Sequence, residues 1–133
     1  MIKYAKENGK KIVARSGGHQ YSGKSSGGSD TIVVSMDRFD KIKFITDNIV
    51  EVGACCKLRD VAKLFAKHHI TVPHGECPYV SFGGHAQTGG YGHIFRGFGI
   101  LHDYISSFYI VLANGTRMHV KRPKKDSNPT TEK

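Results

Sequence analysis

The sequence predicts an α+β fold. Three observations support this prediction: short runs rich in β-branched residues, two tight-turn signals between neighbouring runs, and one strongly amphipathic helix. The two longest gaps between the runs contain glycine-rich segments. We therefore expect small mixed or antiparallel sheets packed with helices.

The turn signals indicate how the strands pair. Thr46-Asp47-Asn48 separates two apolar runs and predicts a hairpin, and Asn114-Gly115 is the dipeptide that most favours a two-residue hairpin turn. Asn114 also begins a glycosylation sequon, but a tight turn explains the same residues. The predicted strands are residues 12–15, Thr31–Ser35, residues 42–45, Ile49–Val52, one long run over residues 103–113, and Arg117–Lys121.

The clearest predicted helix covers residues 57–69. Its apolar residues recur at i, i+3, i+4 and i+7, which places them on one face. These residues are Leu58, Val61, Ala62 and Phe65. A second, shorter helix is predicted for residues 1–8, with Gly9 as its positive-φ stop, and His68 and His69 are expected near the carbonyl end of the longer helix.

Two glycine-rich stretches are poor core builders. The first, RSGGHQYSG, covers residues 15–23 directly after an apolar run, and the second, PHGECPYVSFGGHAQTGGYG, covers residues 73–92. Glycines let the backbone take positive φ, and free N–H groups in such turns can point at an anion. A surface Ω-loop is the alternative reading of either stretch alone. The presence of both favours a ligand site.

Together the two stretches resemble the FAD-binding domain of the PCMH, or vanillyl-alcohol-oxidase, type, and most closely its berberine-bridge-enzyme-like branch. In that family a strand leads into R-x-G-G-H, which residues 15–19 match, and G-x-C-P-x-V-x-x-G-G-H precedes G-G-Y-G, which residues 75–92 match. The resemblance extends over about residues 5–120. Thr88 departs from the pattern, because the family has a third glycine there.

The resemblance implies that FAD is the cofactor. The Arg15 side chain and the backbone amides of residues 16–20 would hold the pyrophosphate, His19 would bond to the flavin 8-methyl group, and Cys77 would bond to carbon 6. The later glycines would line the ring and the ribityl chain. The cofactor-binding candidates are Arg15, Ser16, Gly17, Gly18, His19, Gln20, Cys77, Gly83, Gly84, His85, Gly89, Gly90, Tyr91 and Gly92.

The activity implied by the resemblance is that of a flavin-dependent oxidoreductase. A hydride would pass from an alcohol, sugar or C–H carbon to flavin N5, with reoxidation by oxygen or another acceptor. The family binds its small-molecule substrate in a further domain, so residues 1–122 are expected to be a FAD-binding domain that is incomplete at both ends and inactive alone. Residues 123–133 are polar, and we expect them to form a disordered tail.

The charge distribution argues against a nucleic-acid-binding module, which is the weaker alternative. The net charge is +9, but four lysines against one glutamate in residues 1–11, and six basic against two acidic residues in 117–133, carry most of it. A basic groove interleaved with aromatic residues is therefore not expected in the body of the domain. The sequence shows no signal peptide and no apolar run long enough for a membrane span, and it does not indicate a compartment.

A metal site is the other alternative. Its candidate ligands lie within 26 residues of one another: His68, His69, His74, Cys77, His85 and His93. No second cysteine stands at zinc-ligand spacing from Cys77, and a metal site would leave the glycines unexplained. The adjacent Cys55 and Cys56 are expected to be small buried thiols.

Overall fold

The computed structural model describes residues 1–123, which form short helices and three two-stranded sheets. The α+β class predicted from the sequence is confirmed. The elements in chain order are α1 (Ile2–Glu7), β1 (Lys11–Arg15), β2 (Thr31–Ser35), β3 (Ile42–Thr46), β4 (Ile49–Val52), α2 (Leu58–Lys67), α3 (Phe82–Gln87), α4 (Phe95–Phe98), a 3₁₀ helix (Leu101–Tyr104), β5 (Ser107–Val111) and β6 (Arg117–Lys121).

The sheets are mixed in direction. β1 and β2 are parallel, with Ile12 opposite Ile32, so the first glycine-rich stretch lies in the crossover between them. β3–β4 and β5–β6 are the two antiparallel hairpins that the turn signals predict. In the second hairpin the Thr116 N–H donates to Asn114 Oδ1 at 2.9 Å and Gly115 takes a φ of 88°, as a tight turn requires.

The main core forms where α2 meets the first hairpin. Leu58, Val61 and Phe65 are buried along one face of α2, as its apolar periodicity predicts. The thiols of Cys55 and Cys56 are also buried, as expected, and Cys56 belongs to the core. Partly buried side chains that pack around this core are Ile42, Val50, Val52, Ile70, Val72 and Phe82.

The structure corrects the reading of residues 103–113 as one long strand run. The first part is a 3₁₀ helix, and β5 begins only at Ser107. The Asp103 carboxylate accepts a hydrogen bond from the Ile100 N–H at 2.9 Å, which closes a helical turn before the strand starts. Neither α3 nor α4 was predicted from the sequence. Gly9 does end α1 at a φ of 59°, as predicted.

No described helix has the length and apolar character that a membrane crossing needs. The predicted tail, residues 123–133, lies outside the described residues except for Pro123.

The α2 core generates a stability prediction. Replacing Phe65, which is 6% exposed, by alanine removes a ring from the main core. We expect the free energy of unfolding to fall by about 3 kcal/mol, measured by urea denaturation. The control is Lys67→Ala in the last turn of the same helix, where the side chain is exposed, and it is expected to change stability by less than about 0.5 kcal/mol. Equal effects of the two substitutions would contradict this account of the core.

Candidate functional site

The first glycine-rich stretch is a turn fixed on one side. Directly after β1, the Ser16 hydroxyl donates to the Ala54 carbonyl at 2.5 Å, and the Cys55 thiol donates to the Ser16 carbonyl at 3.6 Å. Gly18 takes a φ of 74°, a conformation that L side chains rarely adopt. The start of this turn is therefore held by the segment just before α2.

The polar side chains of the turn lie beside its glycines. Arg15 and His19 are both exposed. The Arg15 Cδ is 3.5 Å from the point where a Cβ at Gly18 would lie, and His19 Cδ2 is 3.1 Å from the equivalent point at Gly17. A guanidinium and an imidazole are therefore available to a ligand that approaches the turn.

The second stretch pairs with the start of α2 through backbone hydrogen bonds. These bonds run in both directions between the two segments, so the segments lie side by side. They are Leu58 N–H to Val80 O at 2.9 Å, Arg59 N–H to Pro78 O at 3.1 Å, Phe82 N–H to Cys56 O at 2.8 Å, and Gly83 N–H to Ala54 O at 2.9 Å.

This pairing positions the loop that carries Cys77. α2 has no side-chain cap, and the carbonyls of Pro78 and Val80 accept hydrogen bonds from N–H groups in its first turn instead. The Arg59 guanidinium also lies 4.8 Å from the centre of the Tyr79 ring, a cation–π contact. The Cys77 thiol is exposed and therefore accessible to a ligand.

The two stretches meet at Ser81, which is 2% exposed. Its hydroxyl donates to the Cys55 carbonyl at 3.4 Å and accepts a hydrogen bond from Lys57 Nζ at 2.9 Å. A Cβ at Gly17 would lie 2.9 Å from Ser81 Oγ, so only glycine fits there without a shift. Local sequence patterns do not single out Lys57 or Ser81, because the contacts that involve them join residues more than twenty positions apart.

His85 holds the remainder of the second stretch together. The Gly75 N–H donates to His85 Nε2 at 2.8 Å, and a Cβ at Gly90 would lie 3.0 Å from the same nitrogen. Burial, followed by the nearby charge of His74, lowers the pKa of His85. The ring is therefore uncharged at neutral pH. Because Nε2 accepts the hydrogen bond from the Gly75 N–H, the ring proton lies on Nδ1.

Gly92 completes this packing. A Cβ on Gly92 would overlap the carbonyl oxygen of His74, so the end of the stretch lies directly against its beginning. Gly89 and Gly90 take positive φ, and their carbonyls accept hydrogen bonds from the N–H groups of His102 and Leu101 at 2.9 and 3.0 Å.

The candidate residues thus form two groups. The turn at residues 15–20 contacts the start of α3 through Ser81, and a second group surrounds His85. Gly84 has open space where a side chain would lie, and Tyr91 is 71% exposed. Among residues 1–123, no hydrogen bond joins His19 to Cys77.

Asp37 lies beside the anchored turn, where the Cys55 thiol also reaches its carboxylate at 3.7 Å. A hydrogen bond from Ser35 lowers the pKa of Asp37, and the Cys55 thiol together with the charges of Lys57 and Arg15 lowers it further. Asp37 is therefore ionised at neutral pH and lies within range of both cationic side chains.

The histidines and cysteines do not assemble into a metal centre. Within the described part of the chain, no group of three or more His, Cys, Asp or Glu side chains could hold a metal ion. Glu76 instead pairs with His93 at 3.3 Å on the surface, and the His68 ring, at the carbonyl end of α2, lies 4.3 Å from that of Phe44. The metal-site alternative gains no support.

Comparison with known proteins gives the family. The FAD binding domain family matches residues 1–121. Chitooligosaccharide oxidase of Gibberella zeae is 33% identical over 87% of this chain and 24% of its own length, and berberine bridge enzyme-like 7 of Arabidopsis thaliana is 37% identical over 84% and 22%. The solved structure of glucooligosaccharide oxidase from Acremonium strictum superposes with a TM-score of 0.80 at 27% identity, covering 90% of this chain and 26% of that one.

These similarities show that the fold is that of a PCMH-type flavin domain. The chain belongs to the FAD binding domain family, and FAD is its cofactor. It spans about a quarter of the length of the relatives it matches.

The contact of Gly92 with His74 generates a second prediction. Gly92→Ala forces the two ends of the second stretch apart, and we expect a loss of about 3 kcal/mol in the free energy of unfolding. Gly97→Ala is the matched control, because a Cβ there meets nothing within 4 Å and alanine favours the helix. Its stability should be unchanged or slightly raised. Urea denaturation compares the two variants, and equal losses would contradict the close approach of Gly92 to His74.

The state of His85 generates a prediction about pH. Its pKa is lowered from 6.5 in the folded protein, so below pH 6.5 the unfolded state takes up a proton that the folded state does not. The free energy of unfolding should therefore fall as pH drops through 6.5 towards the lowered pKa. His85→Gln keeps an acceptor for the Gly75 N–H and does not titrate, so this part of the pH dependence should disappear. Urea denaturation between pH 7.5 and 5 measures it, with the exposed His119→Gln as control.

Proposed function

We propose that this chain is the FAD-binding part of a flavin-dependent oxidoreductase. In the full reaction, a hydride leaves an alcohol, sugar or C–H carbon of a small molecule for flavin N5, and oxygen or another acceptor then takes the electrons. The observation that carries the proposal is the junction at Ser81, which joins two glycine-rich stretches of the flavin-domain pattern into one site.

The turn after β1 is proposed to receive the FAD pyrophosphate. The backbone N–H groups of Gly17, Gly18 and His19 have no hydrogen-bond acceptor among residues 1–123. Unpaired N–H groups at an exposed turn are suited to an anion, and the exposed Arg15 guanidinium adds positive charge beside them. Ser16 and Gln20 complete this candidate binding turn.

The isoalloxazine ring is proposed to be held by two covalent bonds. An imidazole nitrogen of His19 would replace a hydrogen of the 8-methyl group, and the Cys77 thiolate would replace the hydrogen of carbon 6. Each bond would leave the flavin reduced by two electrons, which oxygen or another acceptor would then remove. Both side chains are exposed: His19 lies on the turn that Ser16 anchors, and Cys77 lies on the loop whose Pro78 and Val80 carbonyls pair with the start of α2. Glucooligosaccharide oxidase from Acremonium strictum has a 6-S-cysteinyl, 8α-N1-histidyl FAD, and these two links require the same two residue types.

The remaining candidates are proposed to line the cofactor beyond the turn. Gly84 and Tyr91 are exposed, so they are accessible to a ring or a ribityl chain. His85 and the glycines around it set the shape of the loop beneath them. The small-molecule substrate is proposed to bind chiefly to a region of the longer relatives that this chain does not match. Oligosaccharides are one candidate substrate class, because two of the relatives are named as oligosaccharide oxidases.

Covalent attachment is tested with the protein expressed from the longest reading frame that encodes this chain. After acid precipitation and proteolysis, we expect flavin mass on the peptides that contain His19 and Cys77. His19→Ala should leave flavin only on Cys77, and Cys77→Ala only on His19. His119→Ala and Cys56→Ala are controls of the same residue types and should keep both links. A yellow supernatant over colourless protein would contradict covalent attachment, whereas colourless protein and supernatant would contradict FAD binding.

A further inference from the structure

Lys57 is a cationic side chain that the proposed function does not use, although it lies at the junction of the two glycine-rich stretches. We infer that Lys57 is a positioning residue for the pyrophosphate turn: its ammonium fixes Ser81, and Ser81 in turn shapes the backbone at Gly17. This inference rests on the proposed function, because it assumes that the turn at residues 16–20 receives the FAD pyrophosphate.

The first step is the orientation of the Ser81 hydroxyl. This group has one proton to donate, which goes to the Cys55 carbonyl at 3.4 Å, and it accepts a hydrogen bond from Lys57 Nζ at 2.9 Å. Hydrogen bonds from an ammonium are stronger than those between neutral groups. Because Ser81 is 2% exposed, water cannot readily replace Lys57 if its side chain is removed.

The second step is the contact between Ser81 and the turn. A Cβ at Gly17 would lie 2.9 Å from Ser81 Oγ and 3.0 Å from Ser81 N, so the Gly17 backbone packs directly on this residue. The Cys55 thiol, which donates to the Ser16 carbonyl, lies 4.0 Å from the same hydroxyl. A rotation of Ser81 would therefore disturb the residues that present the free N–H groups of the turn.

The direction of the Lys57 side chain supports a positioning role over a simple charge-balancing one. Asp37, Asp40 and Asp60 line a pocket of about 330 Å³ that Lys57 also lines. Among the described residues, none of these carboxylates comes within 4.0 Å of the ammonium, whose hydrogen bond goes to the neutral Ser81 hydroxyl. The strongest contact of the ammonium is thus the one that reaches the turn.

The experiment uses the longest reading frame that encodes this chain, with His19→Ala and Cys77→Ala introduced so that the flavin exchanges freely. Dissociation constants are measured by flavin fluorescence for FAD and for riboflavin, which lacks the pyrophosphate. Lys57→Met should raise the FAD constant about tenfold and leave the riboflavin constant within twofold. Lys57→Arg, which keeps a cationic donor, should restore most of the FAD affinity. Lys63→Met is the matched control, since Lys63 is an exposed lysine of α2, the helix that Lys57 directly precedes.

Each outcome bears on the inference. An unchanged FAD constant in Lys57→Met overturns it, and so does an equal loss for FAD and riboflavin, which indicates general destabilisation. If Lys57→Met does not fold, Ser81→Ala removes the acceptor instead, and it should also weaken FAD selectively. An unchanged FAD constant in that variant overturns the inference as well. A parent protein that binds neither flavin overturns the proposed function itself, which separates the two failures.

Discussion

Four backbone hydrogen bonds between residues 54–59 and residues 78–83 fix the second glycine-rich stretch on the segment that also anchors the first stretch through Ser16. They place Ser81 beneath the first turn and bring the Cys77 loop to the amino end of α2. The hydrogen bonds from Lys57 to Ser81 and from Ser16 to Ala54 add side-chain contacts to this backbone arrangement. Because backbone groups make the four bonds, they constrain residue identity weakly, except where space is lacking, as at Gly83 against Ala54.

Local patterns predicted the elements whose stability is local. Three elements form for reasons that lie within their own sequence: α2 with its four-residue apolar stripe, β2 with its β-branched run, and the Asn114-Gly115 turn. The two glycine-rich stretches were also recognisable, because their order and spacing match a family pattern. The cofactor follows from that match, and the structure adds how the stretches are supported.

Other parts depend on tertiary contacts, so no local pattern could predict them. α3 contains Gly83 and Gly84 and lacks an apolar stripe, and it forms because Ser81 and Phe82 are fixed by the segment before α2. His85 in α3 accepts a hydrogen bond from the Gly75 N–H, a contact between residues ten positions apart across an irregular segment. The 3₁₀ helix at Leu101–Tyr104 replaces a strand because a single carboxylate closes its turn.

Loop carbonyls, rather than a capping side chain, accept hydrogen bonds from the first N–H groups of α2, and this has a consequence for mutagenesis. The helix and the Cys77 loop cannot be ordered independently, since each satisfies hydrogen bonds of the other. In a random mutagenesis screen scored by colony colour, colourless clones would therefore include changes at Val61 or Leu58 as well as changes in the loop itself. A map of such clones would outline a second apparent cofactor site on the buried face of α2, where no cofactor atom need lie.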